Sequence, residues 1–134
     1  MTSRARAVLW LGRAVGDPEA PCGERRLQRA KYLFSGSYTS EGAKGVLAEG
    51  GTRRRAATDK VVSSLGGTVE AYYFGFGGDD FYLIADLPGH AEAVAAALTG
   101  AASGAMHVRT TVLLTPEEID EATQLSPQYR APGA

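Results

Sequence analysis

Residues 68–87 read "TVEAYYFGFGGDDFYLIADL" and contain two strand patterns separated by a turn rich in glycine and aspartate. The second pattern has a period of two, which places successive side chains on opposite faces of a sheet. One face carries Phe81, Leu83, Ala85 and Leu87, and the other carries Tyr82 and Ile84. We expect the glycines of the turn to adopt positive φ angles and to let neighbouring backbone segments approach closely. These glycines are Gly75, Gly77 and Gly78. The stretch therefore predicts a β-hairpin, with strands over 68–76 and 81–87.

Strand and helix patterns alternate on both sides of this hairpin. Upstream, "KYLFSGSY" (31–38) predicts a strand, and two short helical patterns follow it, capped by Thr39 and Thr52. Downstream, "PGHAEAVAAALTGAASG" predicts an alanine-rich helix whose inward face carries Val94, Ala97, Leu98 and Ala101. "HVRTTVLL" (107–114) predicts the last strand. "TPEEIDEATQL" contains a capping box and predicts a terminal helix.

The resulting order is β-α-β-β-α-β with an added C-terminal helix. This order is typical of the α+β, ferredoxin-like arrangement, an antiparallel sheet with both helices on one face. We assign the domain to residues 31–126 and a C-terminal tail to 127–134. Residues 1–30 lack a regular period, so we expect a disordered extension there. We interpret it as upstream codons included by a misplaced start rather than as a recruitment arm.

Composition limits the class of protein. A chain of 134 residues with 22% charged residues suits one globular domain. No apolar run reaches the roughly 20 residues that a membrane span needs. Cys22 is the only cysteine, which rules out an internal disulfide and any zinc site built from several thiolates. We therefore expect a cytoplasmic protein that has no metal and no cofactor.

Both faces of the predicted sheet carry apolar side chains, although the two internal helices cover only one face. Tyr82 and Ile84 lie on one face of the sheet, and Phe81, Leu83 and Leu87 lie on the other. Whichever face the helices cover, apolar side chains remain on the opposite face. The terminal helix offers only Ile119, Ala122 and Leu125 for burial, which is too narrow a stripe to cover a four-stranded sheet. The sequence therefore predicts a homodimer or a higher homo-oligomer.

Four segments together resemble the GYD-domain family, small bacterial proteins of the dimeric α+β barrel superfamily. They read "KYLFSGSYTSEGAKGVLAEGG", "VVSSLGGTVEAYYFGFG", "DDFYLIADLP" and "VRTTVLLTPEEID". In the Gly-Tyr-Asp element that names the family, Gly77 and Asp80 match, whereas Asp79 stands where tyrosine is usual. The resemblance implies a fold, a dimer and a cavity suited to a small molecule. It implies no catalytic residues.

Two groups of side chains are candidates for a site. In the predicted fold, the end of the first strand, the hairpin and the start of the last strand share one rim, which brings together Tyr38, Asp79, Asp80 and His107. A histidine beside carboxylates is a possible acid–base pair, with its pKa raised by their charge, but the group is equally typical of a solvated rim. The candidates for a ligand pocket are Tyr32, Phe34, Tyr72, Phe74, Tyr82 and Arg54, and core packing is the competing explanation for the aromatic ones.

Three functional classes follow from these observations. The first is a homo-oligomeric small-molecule-binding protein with a pocket between sheet and helices or at the dimer interface. The second is a cofactor-independent enzyme, similar to monooxygenases or isomerases, that uses His107 with Asp79 or Asp80. The third is an RNA-binding module, which "FGFG" favours but an acidic domain disfavours, because phosphate binding needs positive charge.

Overall fold

A computed structural model describes residues 30–133 of the chain. Its elements in chain order are β1 (Ala30–Tyr38), α1 (Ser40–Ser64), β2 (Thr68–Phe74), β3 (Phe81–Leu87), α2 (His90–Ala102), β4 (Met106–Leu113) and α3 (Pro116–Thr123). The strands form one antiparallel sheet in the order β2-β3-β1-β4, which confirms the predicted ferredoxin-like α+β fold. The predicted extension over 1–30 lies outside the described residues except for Ala30, which begins β1.

Helix α1 consists of two helical segments that meet at Gly50. Gly50 has φ 83° and ψ 171°, a conformation that is open to glycine and costly for other residues. The Thr39 hydroxyl caps the first segment by accepting a hydrogen bond of 3.2 Å from the amide of Gly42. Gly66, at φ 85°, follows the second segment. The two predicted helical patterns are therefore both present, and they meet at Gly50, in the glycine pair that ends the first pattern.

The core lies between one face of the sheet and the two long helices. Its buried apolar residues are Tyr32, Phe34, Val62, Phe81, Leu83, Ala85, Leu87 and Ala93. In β3 every odd-numbered residue from Phe81 to Leu87 is buried, whereas Tyr82 is 38% exposed. The alternation is therefore as predicted. We call the face opposite the helices the open face; it includes Leu33, Ala71, Tyr73, Tyr82, Ile84 and Leu113.

The inward face of α2 differs from the prediction. Ala93 is buried, and Ala96 and Ala97 pack against the core. Val94 and Leu98 instead point outward, with exposures of 51% and 62%. The prediction that Val94, Leu98 and Ala101 face inward is therefore wrong. In a helix made almost entirely of apolar residues, periodicity does not distinguish the two faces, and packing against the sheet selects the small side chains.

The hairpin turn also differs from the prediction. Strand β2 ends at Phe74, and the left-handed residue of the turn is Phe76, at φ 55°. Gly77 and Gly78 have no positive φ, and a Cβ added at either position would meet open space. The prediction that these two glycines are needed for the turn is wrong. At Gly75 close approach is confirmed, because an added Cβ would lie 2.9 Å from the Tyr82 ring.

Helix α3 forms as predicted but buries little. The Thr115 hydroxyl accepts from the amide of Glu118, and the Glu118 carboxylate accepts from the amide of Thr115, so the capping box is complete. Within Pro116–Thr123 no residue is buried, and Ile119 is 47% exposed. Helix α3 therefore adds no buried residue to the core of the described chain.

Candidate ligand-binding cavity

A cavity of about 270 Å³ lies between the sheet and the two long helices. The sheet contributes Phe34, Tyr38, Tyr72, Phe81, Leu83, Met106 and Val108 to its wall. Helix α1 contributes Arg54, Thr58, Val61 and Val62, and the segment from α2 to β4 contributes Ala96, Ala97, Thr99, Gly100, Ser103 and Ala105. The wall is mostly apolar, with a few polar groups, which is the usual character of a small-molecule site.

Small residues on the inward face of α2 account for the cavity. Where a bulky side chain would fill the space above the sheet, Ala96, Ala97 and Gly100 leave it open. At Gly100 an added Cβ would lie 3.3 Å from the Met106 Sδ atom, so glycine also lets the helix approach β4 closely. Small residues on one helix face therefore contribute to the space.

The hydroxyl groups of the helices are already engaged. Thr58 donates to the carbonyl of Arg54 at 3.2 Å, and Thr99 donates to the carbonyl of Ala95 at 2.8 Å. Ser103 donates to the carbonyl of Gly100 and accepts from the amide of Ala105. Because these bonds lie within their own helix or turn, the three hydroxyl donors are used locally. The polar groups left to face a guest are the two tyrosine phenols and the Arg54 guanidinium.

The phenol of Tyr38 is the most perturbed titratable group of the cavity. Burial raises its pKa well above the ordinary value of 10.0, and hydrogen bonding to Tyr72 adds to the shift. The positive charge of Arg54 opposes the shift, while Asp80 supports it. Arg54 is itself paired with Glu49, with 3.2 Å between the guanidinium and the carboxylate. Tyr38 is therefore a protonated hydrogen-bond donor at neutral pH.

The rim of the sheet brings three of the four predicted candidates together. The backbone amide of Tyr38 donates to the Asp80 carboxylate at 2.9 Å, and the Asp80 amide donates to the carbonyl of Gly36 at 2.7 Å. Asp79 pairs with Arg109, a partner that the sequence analysis missed. Arg109 lies two residues after His107 on the same face of β4, so the period of two in that strand was the available signal.

His107 lies opposite Ser37 across the β1–β4 ladder, and it is exposed. In the part of the chain that the structure describes, it forms no hydrogen bond or ion pair with Asp79 or Asp80. Since residues at odd positions of β4 point to the open face, His107 belongs to that face and not to the cavity wall. At the rim the two carboxylates are therefore bonded to the Tyr38 amide and to Arg109.

The predicted pocket residues occupy four places. Phe34, Tyr72 and Arg54 line the cavity. Phe74 lines an adjoining open cleft, which it shares with Tyr72. Tyr32 is buried beside the cavity and shares a 2.6 Å hydrogen bond with the Nδ1 atom of His90. Tyr82 lies on the open face, across the sheet from the cavity.

Two further findings concern the described residues as a whole. Within residues 30–133, no helix combines the length and the apolar character needed to cross a membrane. In the same part of the chain, no group of three or more His, Cys, Asp and Glu side chains is arranged to hold a metal ion.

Comparison with known proteins gives the family. The search found no significant match among curated proteins or among solved structures. A family model described as the GYD domain matches residues 32–123, a range that includes the whole cavity wall and all four strands except the first two residues of β1. Because that range covers more than half of the sequence, the chain belongs to the GYD-domain family.

Proposed function

We propose that this protein is a homo-oligomeric small-molecule-binding protein whose ligand occupies the cavity between the sheet and helices α1 and α2. The observation that carries the proposal is the cavity itself, a partly open pocket of about 270 Å³ with a mostly apolar wall. Apolar wall that faces water instead of protein lacks the dispersion contacts of a close-packed interior. A bound guest would restore those contacts.

The chemistry of the wall supports binding more than catalysis. Among the described residues that line the cavity, none is Asp, Glu, His, Lys or Cys. General acid–base catalysis needs a group whose pKa lies near the working pH, and the raised pKa of Tyr38 is far from it. The predicted enzyme candidates His107 and Asp79 lie outside the wall. Binding without chemistry is therefore the function that this geometry supports best.

Native mass spectrometry of the purified protein tests the proposal. We expect a retained small molecule in the wild type, released into organic solvent and identified there. Ala97→Leu should abolish retention, because the larger side chain fills the space that Ala97 leaves open. Val94→Leu is the matched control, since Val94 lies on the outward face of the same helix. Retention of the same molecule by Ala97→Leu would exclude this cavity as the site.

The open face supports the oligomeric part of the proposal. Leu33 and Ile84 are direct neighbours at the centre of that face, and Tyr73 and Tyr82 extend the apolar surface with exposures of 70% and 38%. The face also carries the Lys31, Glu70 and Asp86 ion pairs at one end. Contact with a second copy, burying about 800 Å² on each partner, would cover the apolar centre and leave these charges at the rim.

Light scattering after size exclusion at low micromolar concentration tests this assembly. We expect a dimer mass or higher for the wild type. Ile84→Asp should produce monomers or unfolded protein, because it places a charge in an apolar interface. Val94→Asp, a charge on the exposed side of α2, is the control and should keep the oligomer. A stable wild-type monomer would contradict the homo-oligomer.

A further inference from the structure

The polar groups of the cavity define the kind of molecule that fits it. Resting on the proposed function, we propose that the ligand is a small, uncharged, mostly apolar molecule of one or two rings that carries one hydrogen-bond acceptor. The hydrogen-bonded phenols of Tyr38 and Tyr72 keep one donor between them for that acceptor, and this pair determines specificity. Size, charge and hydrogen-bonding capacity lead to this class by separate arguments.

The volume limits the size of the ligand. A cavity of about 270 Å³ lies just below the range of about 300–1,000 Å³ that drug-sized ligands occupy. An engineered apolar cavity of about 150 Å³ in another protein accepts benzene. The present space is larger than that, so a substituted single ring or a fused pair of rings fits within it.

The charges exclude strongly ionic ligands. Among the described residues of the wall, no carboxylate is present to hold a cation. Arg54 is the cation of the wall, and Glu49 already pairs with it. An anionic ligand would have to displace that carboxylate and lose its own hydration in an apolar space, which is costly for an ion that gains no net partner. An uncharged ligand incurs neither cost.

The hydrogen bonds define the polar end of the ligand. Thr58, Thr99 and Ser103 donate to carbonyls of their own helices, so their donors are not offered to a guest. The phenols of Tyr38 and Tyr72 are hydrogen-bonded to each other, which uses one of their two donors and leaves one to bind a carbonyl or ether oxygen. A ligand of the same shape without an acceptor would leave this half-buried donor without a partner, and that loss gives specificity.

Calorimetry with three matched probes tests the ligand class. The probes are 2-acetylnaphthalene, 2-isopropylnaphthalene and 2-naphthoate, which share a ring system and present an acceptor, a hydrocarbon and an anion. For the wild type we expect the ketone to bind more tightly than the naphthoate. In the double variant Tyr38→Phe/Tyr72→Phe, which removes both phenols, the affinity ratio of ketone to hydrocarbon should fall about two- to tenfold, the usual range for one hydrogen bond. Tyr73→Phe, an exposed tyrosine outside the wall, should leave that ratio unchanged.

The outcomes separate this inference from the proposed function. If the three probes bind with a ratio that the double variant does not change, the cavity is a binding site and the assigned role of the two phenols is wrong. If the naphthoate binds most tightly and Arg54→Gln abolishes its binding, the ligand class is anionic. If no probe binds and Ala97→Leu has no effect on ligand retention, the proposed function itself fails. Thermal melting of each variant confirms that it is folded.

Discussion

The backbone amide of Tyr38 and the carboxylate of Asp80 are joined by a 2.9 Å hydrogen bond that connects the end of β1 to the β2–β3 hairpin. The Asp80 amide returns a hydrogen bond to the carbonyl of Gly36. The same tyrosine contributes its side chain to the cavity. Asp80 therefore fixes the backbone from which the principal polar group of the proposed site extends.

Asp80→Ala should destabilise the domain by about 1–2 kcal/mol, because an amide that donates to a charged carboxylate loses its partner. For a domain of this size that corresponds to a fall of about 4–16 °C in Tm. Asp79→Ala is the matched comparison. Its partner Arg109 is 69% exposed, so losing that ion pair should cost about 1 kcal/mol or less. Equal losses from the two variants, measured by thermal melting, would contradict the assigned role of Asp80.

Gly36→Ala should be among the most damaging single changes in the sheet. An added Cβ would lie 1.8 Å from the carbonyl oxygen of His107 on the neighbouring strand, so β1 and β4 would have to separate. We expect a loss of at least about 3 kcal/mol or insoluble protein. Gly77→Ala should change the free energy of unfolding by about 0.5 kcal/mol or less, because its added Cβ meets open space. Urea denaturation of the pair measures this contrast.

The contrast between these glycines shows what the sequence reveals and what it does not. The element order, the faces of β3 and the capping box at Thr115 follow from local patterns, and all three were predicted. Whether a glycine is required depends on a neighbouring strand, as at Gly36, where the carbonyl of His107 is distant in the sequence. The glycine and aspartate content of the hairpin correctly predicted a turn. It also predicted that a glycine would adopt the left-handed conformation, whereas the residue that does so is Phe76.

The cavity was less accessible to prediction than the fold. Phe34, Tyr72 and Arg54 were identified from residue type and position, and all three line it. The space itself depends on which face of α2 packs inward. In an alanine-rich helix that choice is made by tertiary packing, so the outward position of Val94 and Leu98 was not predictable from the helical period.

Filling the cavity should stabilise the protein. Ala97→Leu is expected to raise the free energy of unfolding by about 0.5–2 kcal/mol, the usual gain from filling a void with apolar atoms. Val94→Leu, on the outward face, should give a change near zero. Denaturant unfolding of ligand-free protein measures both. A destabilised Ala97→Leu with a normal Val94→Leu would mean that the wall does not tolerate a larger side chain.

Stability should decline at alkaline pH, from about pH 10 upward. Burial raises the pKa of Tyr38 and of Tyr32, so the folded state holds a proton that the unfolded chain releases near the ordinary value of 10.0. The pKa of Lys31 is also raised, chiefly by its hydrogen bond to Glu70. A raised folded-state pKa gives stability that is complete below the unfolded pKa and is lost as the pH rises through the folded value.

Denaturant unfolding between about pH 8 and pH 11 measures this decline, since tyrosine and lysine both titrate near the upper end of that range. Tyr38→Phe removes one of the three contributing groups and should make the decline shallower. Tyr73→Phe, at an exposed position, should leave it as in the wild type. A steeper decline in Tyr38→Phe would show that the sign of its contribution has been assigned wrongly.

The most direct test of the central claim is to locate a bound molecule by NMR. Protein with labelled methyl groups is titrated with 2-acetylnaphthalene, and nuclear Overhauser contacts are measured from the naphthyl protons. A ligand between sheet and helices should contact the methyl groups of Val61, Val62, Leu83 and Val108. Contacts to Leu33, Ile84 and Leu113 on the open face, with none to the cavity wall, would place the ligand between subunits and contradict the account.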